Sequence, residues 1–216
     1  MNIVMAQYKL TYFNAKGRGE PARYMFHLAG VDFEDFRIEL QDWEEWKPKM
    51  QAINPMGKLP ILEIDGEIRV FQSNAINRYL ARIFGFWGSN AQEQAQIDVI
   101  YETLIELLTP LYPIYAEKDE EKKNEMLKKF KDENVEETLK NIDKLWESNN
   151  KCGDYLVGDK ISLADIFFFT YVNDILTRFL PDFNLNGHPK LKALAERVAA
   201  KPQIEKWLKE RPVTER

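Results

Sequence analysis

The first 84 residues carry short runs of hydrophobic positions whose spacing alternates between that of a strand and that of a helix. The aromatic-rich run Tyr8–Phe13 predicts a strand, and the apolar spacing within Glu20–Ala29 predicts a helix that ends at Gly30. Phe33–Ile38 alternates in a way that predicts a second strand. A strand, a helix and a strand within about 30 residues form a βαβ unit, so we expect these two strands to be parallel.

Two more strands and a helix follow in the same region. Pro60–Ile64 and Glu67–Phe71 are separated by Asp65-Gly66, a dipeptide typical of hairpin turns. Ser73 is a residue type that caps helices, and the apolar positions after it predict a helix to about Phe84. The order βαβ followed by ββα predicts a thioredoxin-like α+β domain with a mixed four-stranded sheet.

Beyond residue 84 the pattern predicts helices and no further strand. Gly85–Asn90 breaks the hydrophobic pattern and indicates a linker, and Ser162 with Asp165 has the spacing of a capping box. The predicted helices are Ala91–Leu108, Glu117–Trp146, Ile166–Leu176, Pro189–Ala200 and Gln203–Glu210, with an interruption at Thr109–Pro113. We therefore expect a first domain over 1–84, a linker over 85–90 and an all-α domain over 91–216.

Charge and composition narrow the classes of partner. The 216 residues carry a net charge of −5, and all of it falls after residue 84, because 1–84 holds 11 basic and 11 acidic side chains. Such a balance argues against a nucleic-acid binder. No apolar run is long enough to span a membrane, the start of the chain lacks the features of a secretory signal, and the single cysteine, Cys152, excludes an intrachain disulfide. These features predict a cytoplasmic protein with no membrane partner.

The chain offers few groups for metal or phosphate chemistry. His27 and His188 are its two histidines, and it has neither a Cys-x-x-Cys pair nor a phosphate-binding glycine loop. His27 lies in an apolar stretch and His188 precedes a proline in a turn, so we expect both to be packed structural residues. No metal site is predicted.

Five short segments of the first 84 residues carry a family resemblance. They are Tyr8–Phe13, Gly17–Glu20, Asp42-Trp43, Gly57–Pro60 and Gln72–Ile76. In this order and spacing they resemble the glutathione transferases, and the first two resemble the sigma class, which is related to the haematopoietic type of prostaglandin D synthase. The resemblance covers nearly the whole chain, since Asp98 and the Ser162 capping box also match family positions.

The resemblance implies that Tyr12 and Arg18 are the catalytic pair. A thiol with a pKa near 8.5 is mostly protonated at neutral pH, whereas the thiolate is the nucleophile. Tyr12, at the carboxyl end of the first strand, would donate a hydrogen bond to the sulfur anion of glutathione, and Arg18 would stabilise it electrostatically. Tyr8 lies at the opposite end of the strand, which argues against it as the donor.

The resemblance also implies a set of glutathione-binding residues. The γ-glutamyl carboxylate would meet Gln72 and Ser73 at a helix N-terminus, where free N–H groups favour anions. The remaining contacts implied for the first domain are Trp43 and Lys47 with the glycyl carboxylate, and Lys58, Leu59 and a cis Pro60 beside the cysteinyl part. Asp98 would reach the glutathione ammonium from the partner subunit of a homodimer.

Two features fall outside the motif set. Phe13, Leu108 and Tyr112 are the expected lining of a second-substrate pocket.

A short helix is predicted over 42–50 with Asp42 as its cap. The segment after it carries about four residues more than the sigma pattern, with Met56 in place of the usual phenylalanine. Because these additional residues follow Trp43 and Lys47 closely, they can shift both side chains away from the positions that the family pattern implies.

Three functions compete for such a chain. The first is an enzyme that conjugates glutathione to electrophiles, with glutathione-dependent isomerisation or peroxide reduction as related reactions. The second is a non-catalytic, crystallin-like structural protein on the same fold, and the third is a carrier of apolar ligands. The site set is complete and the helical half has no long insertion, so the sequence favours the enzyme.

Overall fold

The computed structural model describes residues 6–149 and 153–214, and its contacts divide the chain into two compact units. The first unit combines Met1–Phe84 with Lys201–Arg216, and the second is Gly85–Ala200. The sequence assigned residues 91–216 as a whole to the helical domain, whereas the final helix belongs with the first unit by its contacts. It does so because its side chains bond to the helix that follows the first strand. Cys152 lies outside the described residues.

The first unit contains the predicted mixed sheet. Its strands are β1 (Tyr8–Phe13), β2 (Phe33–Ile38), β3 (Ile61–Ile64) and β4 (Ile68–Phe71), in the spatial order β2-β1-β3-β4. β1 and β2 are parallel, and β3 is antiparallel to both β1 and β4. The register pairs Thr11 with Ile61 and Ile61 with Phe71, so the end of β1, the start of β3 and the end of β4 share one edge.

Helices cover this sheet with apolar faces. They are α1 (Glu20–Ala29), α2 (Trp43–Ile53) and α3 (Ser73–Ile83), while the final helix, α11 (Pro202–Glu210), packs on α1. Gly30 ends α1 in the left-handed conformation, with φ of 64°, where its N–H bonds to carbonyls of the last turn. Buried side chains of β1, α1 and α3, including Leu10, Phe26 and Ile76, form the core between the sheet and the helices.

The additional residues after the tryptophan lengthen α2 and close a turn at Asn54. α2 ends at Ile53, three residues beyond the predicted end, and the Asp42 side chain makes no cap hydrogen bond. Asn54 is buried, its Nδ2 donates to the Lys58 carbonyl at 2.7 Å, and its Oδ1 accepts the Met56 N–H at 3.1 Å. The turn therefore satisfies its own polar groups.

The second unit is all-helical, as predicted. Its helices are α4 (Ala91–Glu106), α5 (Leu111–Ala116), α6 (Glu120–Lys129), α7 (Glu136–Asn149), α8 (Leu163–Thr170), α9 (Thr177–Phe179) and α10 (Pro189–Ala199). The predicted helix Glu117–Trp146 is α6 and α7 joined through the π-helical segment Phe130–Val135, and a second π-helical segment, Tyr171–Leu176, follows α8. The predicted interruption at Thr109–Pro113 is shorter, since α5 begins at Leu111 and includes Pro113.

The capping box at the start of α8 is present. The buried Asp165 carboxylate accepts the Leu156 N–H and the Ser162 N–H at 2.8 Å each, and the Ser162 hydroxyl at 2.7 Å. Burial raises the pKa of Asp165 to about 6, against the lowering effect of these donors. His188, also buried, has its Nδ1 2.5 Å from Asp143 Oδ2 and so joins α7 to the turn before α10.

Candidate active site in the first unit

Tyr12 lies next to the carboxyl end of β1, under the loop that leads to α1. Its side chain is only 9% exposed, and its hydroxyl oxygen accepts a hydrogen bond from the Arg18 backbone N–H at 3.1 Å. The Arg18 side chain itself is exposed. The Arg18 N–H bond uses a lone pair of the Tyr12 oxygen and fixes the hydroxyl at this end of the strand.

Two glycines let the loop pack closely on the tyrosine. A Cβ at Gly17 would lie 2.8 Å from the Tyr12 hydroxyl oxygen, and a Cβ at Gly19 would lie 2.8 Å from Tyr12 Cδ1. Gly17 also has a φ of +39°, which side-chain-bearing residues rarely adopt. The Gly-Arg-Gly sequence is thus required for this loop to lie against the Tyr12 ring and hydroxyl.

Aromatic packing connects Tyr12 to the start of α2. The Phe13 ring centroid is 5.5 Å from that of Tyr12 and 5.0 Å from that of Trp43. Trp43 is half-buried against the hydrophobic cluster of Ile38 and its neighbours, whereas Lys47, one turn along α2, is exposed. Trp43 is therefore anchored near Tyr12 despite the additional residues that follow it.

The segment before β3 brings Lys58, Leu59 and Pro60 to the same sheet edge. The Leu59–Pro60 peptide bond is cis, as the family resemblance implies. The Lys58 side chain is exposed while its carbonyl is held by Asn54, and Leu59 is half-buried. These residues immediately precede Ile61, whose partner on β1 is Thr11, the neighbour of Tyr12.

The start of α3 completes this edge. Gln72 occupies the cap position, which the sequence analysis wrongly gave to Ser73, and no cap side chain bonds to the first turn. Gln72 has a φ of +70°, an unusual conformation for a non-glycine residue and one that concentrates at functional sites. Buried Ser73 is the first helical residue, and its hydroxyl lies 3.5 Å from Asn74 Oδ1. The start of a helix is an environment suited to a carboxylate.

The other three predicted site residues belong to the second unit. Asp98 is partly exposed on α4, Leu108 is half-buried in the turn before α5, and Tyr112 on α5 is 52% exposed. In the first unit, ring contacts join Tyr12, Phe13 and Trp43, and the register places the end of β1 beside the segments that contain Leu59-Pro60 and Gln72-Ser73. The side chains of Arg18, Lys47 and Lys58 are exposed.

A buried charged network below the loop was missed by the sequence analysis. Arg23 is fully buried, and its Nη1 donates to Glu20 Oε2 at 2.9 Å and to the Ala15 carbonyl at 2.8 Å. Its Nε donates to Asp35 Oδ1 at 2.9 Å. The one signal in the sequence is the Glu20–Arg23 spacing of three on a helix whose other positions are largely apolar.

Glu20 is also bonded from the final helix. Trp207 Nε1 and Arg211 Nη1 both donate to Glu20 Oε1, at 2.8 and 3.0 Å. Burial alone would raise the pKa of Glu20, but the charges of Arg23 and Arg211 outweigh it, so the pKa lies below its usual value. Glu20 is thus an ionised carboxylate held between two helices at neutral pH.

Residues 6–149 and 153–214 contain no helix that combines the length and the hydrophobicity needed to span a membrane. Within the same ranges, no three His, Cys, Asp or Glu side chains are grouped so that they could hold a metal ion.

Family models match most of the chain, and known proteins match nearly all of it. Residues 8–82 match the glutathione S-transferase N-terminal domain, and residues 105–211 match the C-terminal domain. Glutathione S-transferase 1 of Ascaris suum is 40% identical, with 97% of this chain and 99% of that protein covered. S-crystallin SL11 of Nototodarus sloanii is also 40% identical, with 96% and 98% covered.

Two further proteins complete the comparison. The haematopoietic prostaglandin D synthase of Gallus gallus is 39% identical, with 97% of this chain and 99% of that protein covered. The crystal structure of monomeric Na-GST-3, a glutathione S-transferase from Necator americanus, matches with a TM-score of 0.82 at 32% identity, covering 97% of this chain and all of that one. By its fold, its domains and these relatives, the chain belongs to the glutathione S-transferase family, an enzyme family for which glutathione is the co-substrate.

Proposed function

We propose that Tyr12 activates the thiol of glutathione by donating its hydroxyl proton in a hydrogen bond to the sulfur anion. The observation that carries this role is the hydrogen bond from the Arg18 N–H to the Tyr12 oxygen. It fixes the hydroxyl at the sheet edge, beside the position proposed for the sulfur anion. Arg18 would add positive charge from its exposed side chain.

The glutathione-binding roles rest on the same edge. Ser73 and Gln72 would bind the γ-glutamyl carboxylate, since the first turn of α3 has no side-chain cap. Trp43 and Lys47 would contact the glycyl carboxylate. Lys58, Leu59 and Pro60 would lie beside the cysteinyl part. Calorimetry that detects no glutathione binding at millimolar ligand would refute this assignment.

The substitution Tyr12→Phe tests the thiolate role directly. It keeps the ring that packs on Gly19 and removes the hydroxyl, so the pKa of the bound thiol should rise by about one to two units, because a hydrogen bond to a charged group is worth ~1.5–3 kcal/mol. Conjugation near neutral pH should slow about ten- to a hundredfold, with glutathione affinity nearly unchanged. Thiolate absorbance of bound glutathione against pH is the measurement.

Tyr8→Phe is the matched control. Tyr8 lies at the other end of β1, where its ring packs on Phe26 and Phe84. The control should behave like the parent protein. Loss of activity in Tyr8→Phe alone would mean that Tyr8 is the donor, and loss in neither variant would direct the search to Arg18.

The bound thiolate has two candidate reactions, conjugation and isomerisation. The relative named haematopoietic prostaglandin D synthase favours a glutathione-dependent isomerase alongside conjugation, with Phe13, Leu108 and Tyr112 lining the second-substrate pocket. The alternative functions are a non-catalytic structural role, for which the relative named S-crystallin is the precedent, and the transport of apolar ligands. A panel of haloarene, hydroperoxide and prostaglandin H substrates separates these functions, since a structural protein would turn over none of them.

We also propose a cytoplasmic homodimer with a detoxifying role, in which Asp98 of one subunit serves the glutathione site of the other. One relative of the same fold is described as monomeric, so the assembly has to be measured. Sedimentation at micromolar concentration should give a dimer, and Asp98→Asn should weaken glutathione binding without changing the bound thiol's pKa. A fully active monomer would remove the cross-subunit role.

A further inference from the structure

The carboxylate of Glu20 joins the final helix to the buried Arg23 by using its two oxygens separately. Oε1 accepts from Trp207 Nε1 and Arg211 Nη1 of the C-terminal segment, while Oε2 accepts from Arg23 Nη1. Glu20 is 1% exposed, so bulk solvent does not reach its carboxylate. Its position is therefore set from both sides by charged or polar donors.

Arg23 in turn holds the loop that covers Tyr12. The same Nη1 that bonds Glu20 donates to the Ala15 carbonyl at 2.8 Å. Three residues later in this loop, the Arg18 N–H bonds the Tyr12 hydroxyl. The Arg23 guanidinium carbon also lies 5.9 Å from the centroid of the Tyr12 ring, within the range of a cation–π contact.

A second path runs through Arg37. Its guanidinium carbon is 5.9 Å from the Trp207 ring centroid, and its Nη1 donates to Asn14 Oδ1 at 3.3 Å, at the start of the same loop. Arg37 also bonds Asp35, the carboxylate that receives Arg23 Nε. Both paths lead from Trp207 to the loop before α1.

We propose that Trp207 and Arg211 are positioning residues for Tyr12, so that the final helix holds the thiol-activating loop through Glu20 and Arg23. The inference rests on the proposed role of Tyr12. Neither residue needs to touch glutathione for this role. The reason to expect an effect is geometric, since hydrogen bonds weaken steeply with distance and angle and small displacements of a catalytic donor cost rate.

Trp207→Phe is the test variant, because it keeps an aromatic ring to stack on His27 and removes the N–H that bonds Glu20. The matched control is Lys209→Gln on the same helix, where Lys209 is exposed and bonds only Glu205 among the hydrogen bonds described for it. Two quantities are measured in each: hydrogen exchange of the peptide that contains residues 14–19, and the pKa of the bound glutathione thiol.

Trp207→Phe should speed exchange of the loop about threefold to tenfold, while the β3–β4 hairpin exchanges as in the parent. The bound thiol's pKa should rise by about half a unit to one unit, less than in Tyr12→Phe, and kcat should fall with little change in KM for glutathione. Lys209→Gln should match the parent in all respects. Arg211→Met should change the loop exchange and the thiol's pKa in the same direction as Trp207→Phe. Arg211→Lys should show smaller changes than Arg211→Met, because lysine returns a donor to Glu20.

The failures of the two proposals are distinguishable. If Tyr12→Phe leaves the thiol's pKa unchanged while Trp207→Phe still loosens the loop, the role of Tyr12 is wrong and the anchoring of the loop stands. If Tyr12→Phe raises that pKa while Trp207→Phe and Arg211→Met change neither the pKa nor the loop exchange, the positioning role is overturned. Faster exchange spread evenly over the first unit, with the thiol's pKa unchanged, would also overturn it, because a purely structural helix would act that way.

Discussion

Each unit contains a buried carboxylate at the start of a helix, Glu20 in the first and Asp165 in the second, and the two are held in opposite ways. Glu20 in the first unit is bonded by Arg23, Arg211 and Trp207, the last two lying 191 and 187 residues away. Asp165 in the second unit is bonded by two backbone N–H groups and one hydroxyl, all within nine residues. One carboxylate is neutralised by two cations, of which one lies 191 residues away, and the other is solvated by local dipoles.

The pKa values follow from this difference. The guanidinium charges around Glu20 outweigh the effect of burial and hold its pKa below the usual value, whereas burial dominates at Asp165 and raises its pKa to about 6. Dipoles compensate the loss of water only in part, while a paired charge can compensate it fully. Compensation by charge, however, requires that distant segments be brought together.

The largest expected loss of stability follows substitution of Glu20. Glu20→Gln keeps the shape of the side chain but leaves Arg23 and Arg211 with a neutral partner, so the free energy of unfolding should fall by about 3–5 kcal/mol. Urea unfolding at pH 7 measures it. Glu205→Gln, which breaks only an exposed pair with Lys209, should change stability by less than about 1 kcal/mol. Equal losses of stability for the two substitutions would mean that the buried carboxylate of Glu20 contributes no more than an exposed ion pair.

At Asp165 the loss should be smaller. Asp165→Ala leaves two N–H groups and one hydroxyl without their acceptor in a buried site. Each lost hydrogen bond should lower the free energy of unfolding by about 1 kcal/mol, which gives about 3 kcal/mol for the three. The circular dichroism of the helical unit during urea unfolding reports this change. A variant as stable as the parent would mean that burial of the charge cancels the benefit of its hydrogen bonds.

Ser162→Ala removes a single donor from the same carboxylate. The expected loss is about 1 kcal/mol, typical of a helix cap, since the Ser162 N–H and the Leu156 N–H still bond Asp165. Thermal unfolding is sensitive enough to detect it. Ser162→Thr, which keeps a hydroxyl, is the control and should lie close to the parent.

The smallest effect is on the pH dependence of stability. The folded pKa of Glu20 is lowered, so its contribution is present above the unfolded value of 4.5 and is lost as pH falls through the folded value. The folded pKa of Asp165, about 6, is raised above 3.8, so protonation of Asp165 between pH 6 and 3.8 favours the folded state. Carboxyl 13C shifts should titrate near 6 for Asp165 and below 4.5 for Glu20. The reverse order would refute the comparison.

Local features were predictable from the sequence to the residue. The bounds of β1, α1 and β2 and the Ser162–Asp165 capping box were predicted correctly, because each depends on spacing within a dozen residues. The motif segments also predicted the family and the fold. The roles given to Tyr12, Trp43 and Ser73 remain predictions, although the register of the sheet does bring these residues to one edge.

The errors concern long-range contacts and the ends of two helices. The placement of α11 and the network around Glu20 depend on partners almost 190 residues away, which no local pattern encodes. The length of α2 depends on the buried Asn54, whose side chain closes a turn with Lys58 and Met56. The cap of α3 was misassigned because Gln72 adopts a positive φ that its residue type does not predict.

The return of the final helix to the first unit sets an order of events during synthesis. Residues 201–211 leave the ribosome only after the whole of 85–200, so the helical unit can fold while the first unit still lacks its last segment. Until then the Glu20 carboxylate has neither Trp207 nor Arg211 to bond it. A nascent chain that already holds every residue of the sheet edge therefore still lacks two of the three donors to the carboxylate beneath its loop until residues 201–211 have emerged.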